Sequence, residues 1–324
     1  MPTVMTKQPE ISELFSNLIK TNRLQHAYIF DGIAGTGKYE MALWIAQSLY
    51  CQNNMDGQSP CLECNQCQRI QQGNHPDVTT LAPDGLSIKV DQVRAIKEEF
   101  SKSGMETRRK ILIVKDMDKM TMNAANSLLK FIEEPEGEIT IMLLTTEVQK
   151  LLPTIVSRAQ IIHFPVRDIA IRMEDILEKG IPAEAATILA YLTQDADRAV
   201  EIFESEEFSA IVEIVWKWFL LLHKNKDQAF IYIQTDIMNY GSNRENASLI
   251  LDLLILLYRD LTAICFEQER VTAFSKHEAK LREMASMKLQ AQLPNVLTLL
   301  LAGKKKLGRY VAAQGVFEQI ALNI

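Results

Sequence analysis

Lys38 closes a glycine-rich run, Gly32-Ile33-Ala34-Gly35-Thr36-Gly37-Lys38, set between the apolar stretch Ala27-Tyr28-Ile29-Phe30 and a second one that starts at Met41. The spacing G-x-x-x-x-G-K is that of a phosphate-binding loop. Its glycines let backbone N–H groups turn inward around an anion, the following helix adds the positive end of its dipole, and the lysine reaches the outer phosphates. Gly32, Gly35, Gly37 and Lys38 are therefore the candidate phosphate contacts. The next position ordinarily carries a Ser or Thr hydroxyl that ligates magnesium. Here it is Tyr39, and a phenol on a rigid ring does not replace a short hydroxyl beside a metal.

A second departure follows the apolar run Ile111-Leu112-Ile113-Val114, which reads as a buried parallel strand. An ATP-hydrolysing site places an Asp for the magnesium shell and a Glu for the attacking water at the end of that strand. This chain continues Lys115-Asp116-Met117-Asp118. Lysine holds the metal position, where its charge can neutralise the space meant for the cation. Shifting the register to make Asp118 the metal residue puts it beyond the strand end. The loop thus reads as a phosphate site kept in outline, binding nucleotide passively if at all and not hydrolysing it. Thr145-Thr146, at the tip of a later strand, is polar enough to sense a terminal phosphate.

The chain has five cysteines, and four of them form Cys51-x9-Cys61-x2-Cys64-x2-Cys67. Four thiolates at this spacing can close a tetrahedral zinc site with no water position left, so the ion is expected to be structural, one per chain. Gly57, Ser59 and Pro60 favour the turn that returns the chain to Cys51, and Arg69 is the nearest cation to moderate the thiolate charge. An iron–sulfur cluster is the competing occupant, but its bacterial run has a longer third spacing and a following proline. His75 lies close enough to compete as a ligand, yet His75-Pro76-Asp77 reads better as a turn into a strand. The fifth cysteine, Cys265, reads as a small core residue.

Arg158 is the remaining candidate. It lies in Leu152-Pro153-Thr154-Ile155-Val156-Ser157-Arg158, between a polar loop and a core strand. A planar, permanently charged guanidinium there suits an arginine finger presented to a neighbouring subunit's transferring phosphoryl group.

The elements that must position these residues alternate. A helix is expected over 9–19, strands over 27–30, 78–81, 111–114, 139–144 and 161–164, and helices over 39–50, 91–103 and 120–134. Asp91 and Thr121 are the expected caps, and Pro135 the stop. The basic run Arg108-Arg109-Lys110 reads as a solvated flank, with a partner contact as the alternative. The second half is helical: 167–178, 182–192, 196–203, then a longer series from 208. Trp216 and Trp218 cannot both face one core. Tyr240-Gly241-Ser242-Asn243 separates helices, Pro294 suits a first turn, and Gly303-Lys304-Lys305-Lys306 reads as an exposed break between the last two.

With 324 residues the chain is long enough for two or three domains, and its net charge of -6 excludes a general basic field for nucleic acid. The start lacks the basic-then-apolar pattern of a signal peptide, and no stretch of about 18 apolar residues suggests a membrane span. A cytoplasmic protein is expected.

Taken together, Leu24-Gln25-His26-Ala27-Tyr28-Ile29-Phe30, the Gly32 to Lys38 loop, the four cysteines, His75-Pro76-Asp77-Val78, Asp118-Lys119-Met120-Thr121, Ala124-Ala125-Asn126-Ser127-Leu128-Leu129-Lys130, Glu133-Glu134-Pro135 and the Ser157-Arg158 segment resemble the clamp-loader subunits of bacterial DNA polymerase III, and among them the delta-prime group. The resemblance covers residues 9–166; beyond that it rests on length and helical character. It implies an AAA+ fold: an α/β P-loop NTPase-like domain with a zinc-module insertion (1–166, module 51–67), a small helical lid (167–206) and an all-helical collar (207–324). It implies a stator without ATPase activity of its own, part of a DNA polymerase holoenzyme. The implied partners are gamma/tau-like ATPase subunits and a delta subunit in a hetero-pentameric ring, with the sliding clamp and primer–template DNA reached through the complex, and no membrane. It makes Arg158 the arginine given in trans, although Ser157-Arg158-Ala159 lacks the family's cysteine, and it puts Arg198 near a nucleotide-sensing position. Two alternatives stand beside it. One is an active gamma/tau-like ATPase, opposed by Tyr39, Lys115 and the lack of a long tau-like C-terminal extension. The other is an unrelated zinc-containing binding module, opposed by the loop and the apolar strands.

Overall fold

The computed structural model describes residues 8–54, 59–101, 109–133, 137–285, 287–309 and 311–324. Gly57 of the expected cysteine turn, Arg108 of the basic run, and Glu134 and Pro135 at the expected helix stop lie outside them. The chain divides into two compact units, 1–167 and 168–324.

In the first unit, strands β1 (Ala27–Asp31), β2 (Val78–Leu81), β3 (Arg109–Val114), β4 (Glu138–Thr145) and β5 (Gln160–His163) form one parallel sheet in the order β2-β3-β4-β1-β5. Successive strand residues point to opposite faces, and both faces are apolar. Ile29, Leu112, Val114, Ile141 and Leu143 pack on one side with helices α4 (Val90–Ser101) and α5 (Met122–Glu133) through Val93, Ile96, Phe100, Leu128 and Ile132. Tyr28, Phe30, Ile111, Ile113, Met142 and Leu144 pack on the other with α1 (Pro9–Lys20) and α2 (Lys38–Tyr50) through Phe15, Met41, Trp44 and Ile45. At roughly 1.5–3 kcal/mol per buried side chain, this double burial explains why these strands are apolar runs and not alternating ones. Short helices α3 (Asn65–Gln71) and α6 (Pro153–Val156) complete the unit. Helix α4 begins a residue early, so Asp91 falls inside its first turn and is not its cap, while Gln92 Oε1 accepts from Lys89 N at 2.9 Å. Thr121 does cap α5, its hydroxyl accepting from Ala124 N at 3.4 Å.

The order places β1 between β4 and β5, so the chain leaves β1 toward β2 on one flank and returns to β5 on the other. Ligands of such sheets bind at the carboxyl ends of the strands beside this reversal. Asp31 is in register with Thr145 and His163 there, and the glycine loop follows Asp31 directly.

The second unit is helical: α7 (Ile169–Leu177), α8 (Ala183–Leu192), α9 (Ala196–Glu204), α10 (Phe208–Lys224), α11 (Lys226–Tyr232), α12 (Met238–Gly241), α13 (Arg244–Cys265), α14 (Glu278–Met284), α15 (Met287–Gly308) and α16 (Ala313–Asn323). One apolar cluster runs from Ile176 to Ala321, so the expected lid and collar helices share it. Trp218 is buried, donating to Ala229 O at 3.2 Å; Trp216, half-buried, packs against the same cluster and stacks on His277 at 3.9 Å, so both tryptophans meet one core, against expectation. Two expectations fail in α15. Pro294 lies inside the helix, not in its first turn, and the helix runs through Gly303-Lys304-Lys305-Lys306. Gly303 is there for close packing: a Cβ would come within 3.1 Å of Val316 Cγ1 and 3.3 Å of Ile320 Cδ1. Lys304 pairs with Asp252 and Lys306 donates to Gln319, so these lysines line a packed helix and not a loop. Among the described residues no helix is long and apolar enough to cross a membrane.

Candidate functional site

The glycine loop joins β1 to α2 as expected. Gly35 (φ 81°) and Gly37 (φ 88°) take the left-handed conformation that suits glycine. Gly32 answers a different need, because a Cβ there would stand 2.7 Å from the carbonyl oxygen of Phe164, just beyond β5. Lys38 is buried and donates to two carbonyls of its own loop, Gly32 O at 2.5 Å and Ile33 O at 2.7 Å. Burial lowers its pKa, opposed by the charges of Asp31, Asp116, Glu40 and Asp118. The lysine therefore holds the loop closed on itself. Gln8 adds a clasp that sequence reading missed: buried, it donates to Thr36 O and to Pro165 O, both at 3.0 Å. A glutamine before a Pro-led helix gives no local sign of such long-range bonds.

The two residues that break the ATPase pattern touch each other. Lys115 Nζ lies 4.1 Å from the centre of the Tyr39 ring, a cation–π contact. The positions that would supply a metal hydroxyl and a metal carboxylate thus hold an aromatic face with an ammonium over it. The nearby carboxylates have other partners. Asp116, in left-handed backbone at φ 49°, pairs with Lys119 at 3.0 Å. Asp118 Oδ1 accepts from Thr145 Oγ1 at 3.0 Å and from Thr146 N at 3.2 Å. Thr145 therefore gives its hydroxyl to Asp118, and the β4 tip is tied to the segment after β3. These residues do not fit a catalytic magnesium ion.

The cysteine module fits a metal. The sulfurs of Cys51, Cys61, Cys64 and Cys67 all lie within 4.8 Å of one another. Backbone N–H groups point at them: Cys61 N donates to Cys51 Sγ and Cys64 N to Cys61 Sγ, both at 3.3 Å. Such donors stabilise thiolates, and the four sulfurs can hold a zinc ion that braces the loop between α2 and α3. Arg69 donates to Gln66 at 3.5 Å. His75 is not in the cluster; it is buried, stacks on Tyr50 at 4.7 Å, and its Nδ1 accepts from Asp77 N at 3.1 Å, as a turn residue should.

Arg158 is exposed just past α6. Its Nη1 donates to Thr154 O at 3.0 Å and Ser157 Oγ at 3.3 Å, and its Nη2 meets Glu133 Oε1 at 2.8 Å. Arg198, in the second unit, is exposed and pairs with Glu201 at 2.6 Å, one turn along α9. Sequence reading did not single out Glu133; the Glu133-Glu134-Pro135 motif was the available signal.

A family model described as DNA polymerase III, delta subunit, matches residues 7–168. The DNA polymerase III subunit delta' of Bacillus subtilis is 38% identical over 316 residues, covering 97% of this chain and 95% of that protein. Subunit tau/gamma of Haemophilus influenzae is 34% identical over 162 residues, covering 50% of this chain and 23% of its own length. A solved structure, a DNA polymerase III gamma subunit-related protein from Thermotoga maritima, aligns over 96% of this chain and 97% of its own at a TM-score of 0.49 and 18% identity.

Proposed function

The chain belongs to the clamp-loader family of bacterial DNA polymerase III, with delta-prime subunits among its relatives, and from that premise we propose that it is the non-hydrolysing stator of a clamp-loader ring. It helps place the sliding clamp on primer–template DNA in the cytoplasm. Its partners are gamma/tau-like ATPase subunits and a delta subunit in a hetero-pentamer. Residues 167–206 act as the lid and 207–324 as the collar that joins the ring.

One observation carries the reading: Lys115 packs on Tyr39 where a hydrolysing site needs a magnesium shell. With Asp118 bonded to Thr145 and Asp116 to Lys119, the nearby carboxylates are also engaged. Gly32, Gly35, Gly37 and Lys38 serve to shape the loop and hold nucleotide at most passively. The chain's catalytic contribution then lies at Arg158. Exposed and permanently charged, its guanidinium stabilises negative charge on the phosphoryl group moving in a neighbouring subunit's site. Cys51, Cys61, Cys64 and Cys67 hold one structural zinc, which supplies rigidity and no chemistry.

The test is ATP turnover by the chain alone and in the reconstituted loader. Alone it should turn over negligible ATP. Magnesium-dependent turnover abolished by Lys38→Ala would instead make it a gamma/tau-like ATPase. In the full loader, Arg158→Ala should cut DNA-stimulated hydrolysis to the share of the other sites while the ring still assembles. Unchanged hydrolysis would reject the trans role.

A further inference from the structure

Glu133 lies in the last described turn of α5 and is paired with Arg158. Glu133 Oε1 lies 2.8 Å from Arg158 Nη2, with the two side chains 36% and 41% exposed. A pair this open adds little to stability, because solvent screens it. The contact is better understood through what it does to the arginine.

Arg158 is held at three points. Thr154 O and Ser157 Oγ take Nη1 at 3.0 and 3.3 Å, and Glu133 takes Nη2. The first two lie within four residues of Arg158, on its own short helix, which Ile155 anchors in the same core. Glu133 comes from a separate element, α5, anchored there by Leu128 and Ile132. Among the described residues this is the contact that holds Nη2, and it ties the guanidinium to a second element. A long side chain with several rotatable bonds is thereby held in one orientation before any partner arrives, and pre-orientation lowers the entropy lost when it engages.

We propose that Glu133 is the positioning residue for Arg158, fixing the plane of the guanidinium that this chain presents to the neighbouring subunit's triphosphate. The proposal rests on the trans role given to Arg158 above. Glu133 touches no reacting atom and acts only through the arginine.

The experiment uses the complete reconstituted loader with clamp and primed DNA. Glu133→Gln, Glu133→Asp, Arg158→Ala and the Glu133→Gln/Arg158→Ala pair are compared in steady-state ATP hydrolysis, with ring assembly followed by gel filtration. Glu133→Gln should lower kcat roughly 3- to 10-fold with KM for ATP unchanged, since orientation matters most in the transition state. Glu133→Asp should recover part of the loss, and the double variant should be no slower than Arg158→Ala alone. Two results overturn the proposal while leaving the arginine's role intact: a normal kcat for Glu133→Gln beside an impaired Arg158→Ala, or losses that multiply in the double variant. A silent Arg158→Ala instead removes the trans role, and the positioning role with it.

Discussion

The Tyr39–Lys115 contact can be measured directly. Lys115 is half-buried at the end of β3 and Tyr39 half-buried in the first turn of α2, with 4.1 Å between ammonium and ring centre. Such a contact is worth about 0.5–1 kcal/mol when exposed and nearer 2 when desolvated, so partial burial points to roughly 1 kcal/mol. Lys115→Met keeps the aliphatic stem and removes the charge; Tyr39→Leu keeps bulk and removes the ring. Each alone should lower stability, and the pair should lose less than the sum by about 1 kcal/mol, a coupling that a double-mutant cycle isolates. Near the melting point, that coupling is about 2–4 °C for a unit of this size. Urea unfolding should show midpoint changes at constant slope. Additive losses, within about 0.3 kcal/mol, would refute the contact and leave Lys115 without a physical reason to replace the metal carboxylate. A further variant, Tyr39→Thr with Lys115→Asp, should not gain ATP turnover, because Asp116 and Asp118 remain engaged by Lys119 and Thr145.

Elemental analysis of protein prepared without chelator should find one zinc per chain, lost with Cys64→Ser; a zinc-free protein would remove the metal assignment. Gly32→Ala forces a Cβ to 2.7 Å from the Phe164 carbonyl oxygen, which as backbone cannot swing aside, and should cost about 1–3 kcal/mol in thermal unfolding; an unchanged melting point would show that the loop shifts freely. Burial lowers the pKa of His223, in contact with Tyr258 OH at 3.0 Å, to about 4. The unfolded chain then binds the extra proton first, so this group's stabilisation is whole above about pH 6.5 and is lost as pH falls toward 4. His223→Gln should flatten the fall in stability over that window, and an unaltered pH profile would discount the residue.

Local chemistry explains most of what could be read in advance. The loop, the four cysteines and the strand runs announce themselves because glycine spacing, thiol spacing and burial on two faces each leave a pattern within a few residues. Lys115 and Tyr39 were visible as two separate departures. Their contact was not, since 75 residues of chain lie between them and only the parallel sheet brings the end of β3 beside the start of α2. The misreadings in α15 have the same origin. Gly303 and Pro294 are helix breakers by propensity, but packing on Val316 and Ile320 outweighs a penalty of about 1 kcal/mol for glycine, and burial of Leu293 and Leu300 favours keeping the helix across the proline.

By itself, then, the amino-acid order determined the phosphate-loop pattern, the four cysteines spaced to hold a metal and the departures at Tyr39 and Lys115 from the hydrolytic pattern, because each depends on residue type at a fixed spacing. The tertiary structure decided which contacts are made. It closed Lys38 on Gly32 and Ile33, laid Lys115 on Tyr39, bound Asp118 to Thr145 and set Glu133 against Arg158. The last three are contacts between residues far apart in the chain, formed only when the sheet order brings the strand ends together and α5 beside α6; their energies depend on distance and burial, which spacing along the sequence does not carry.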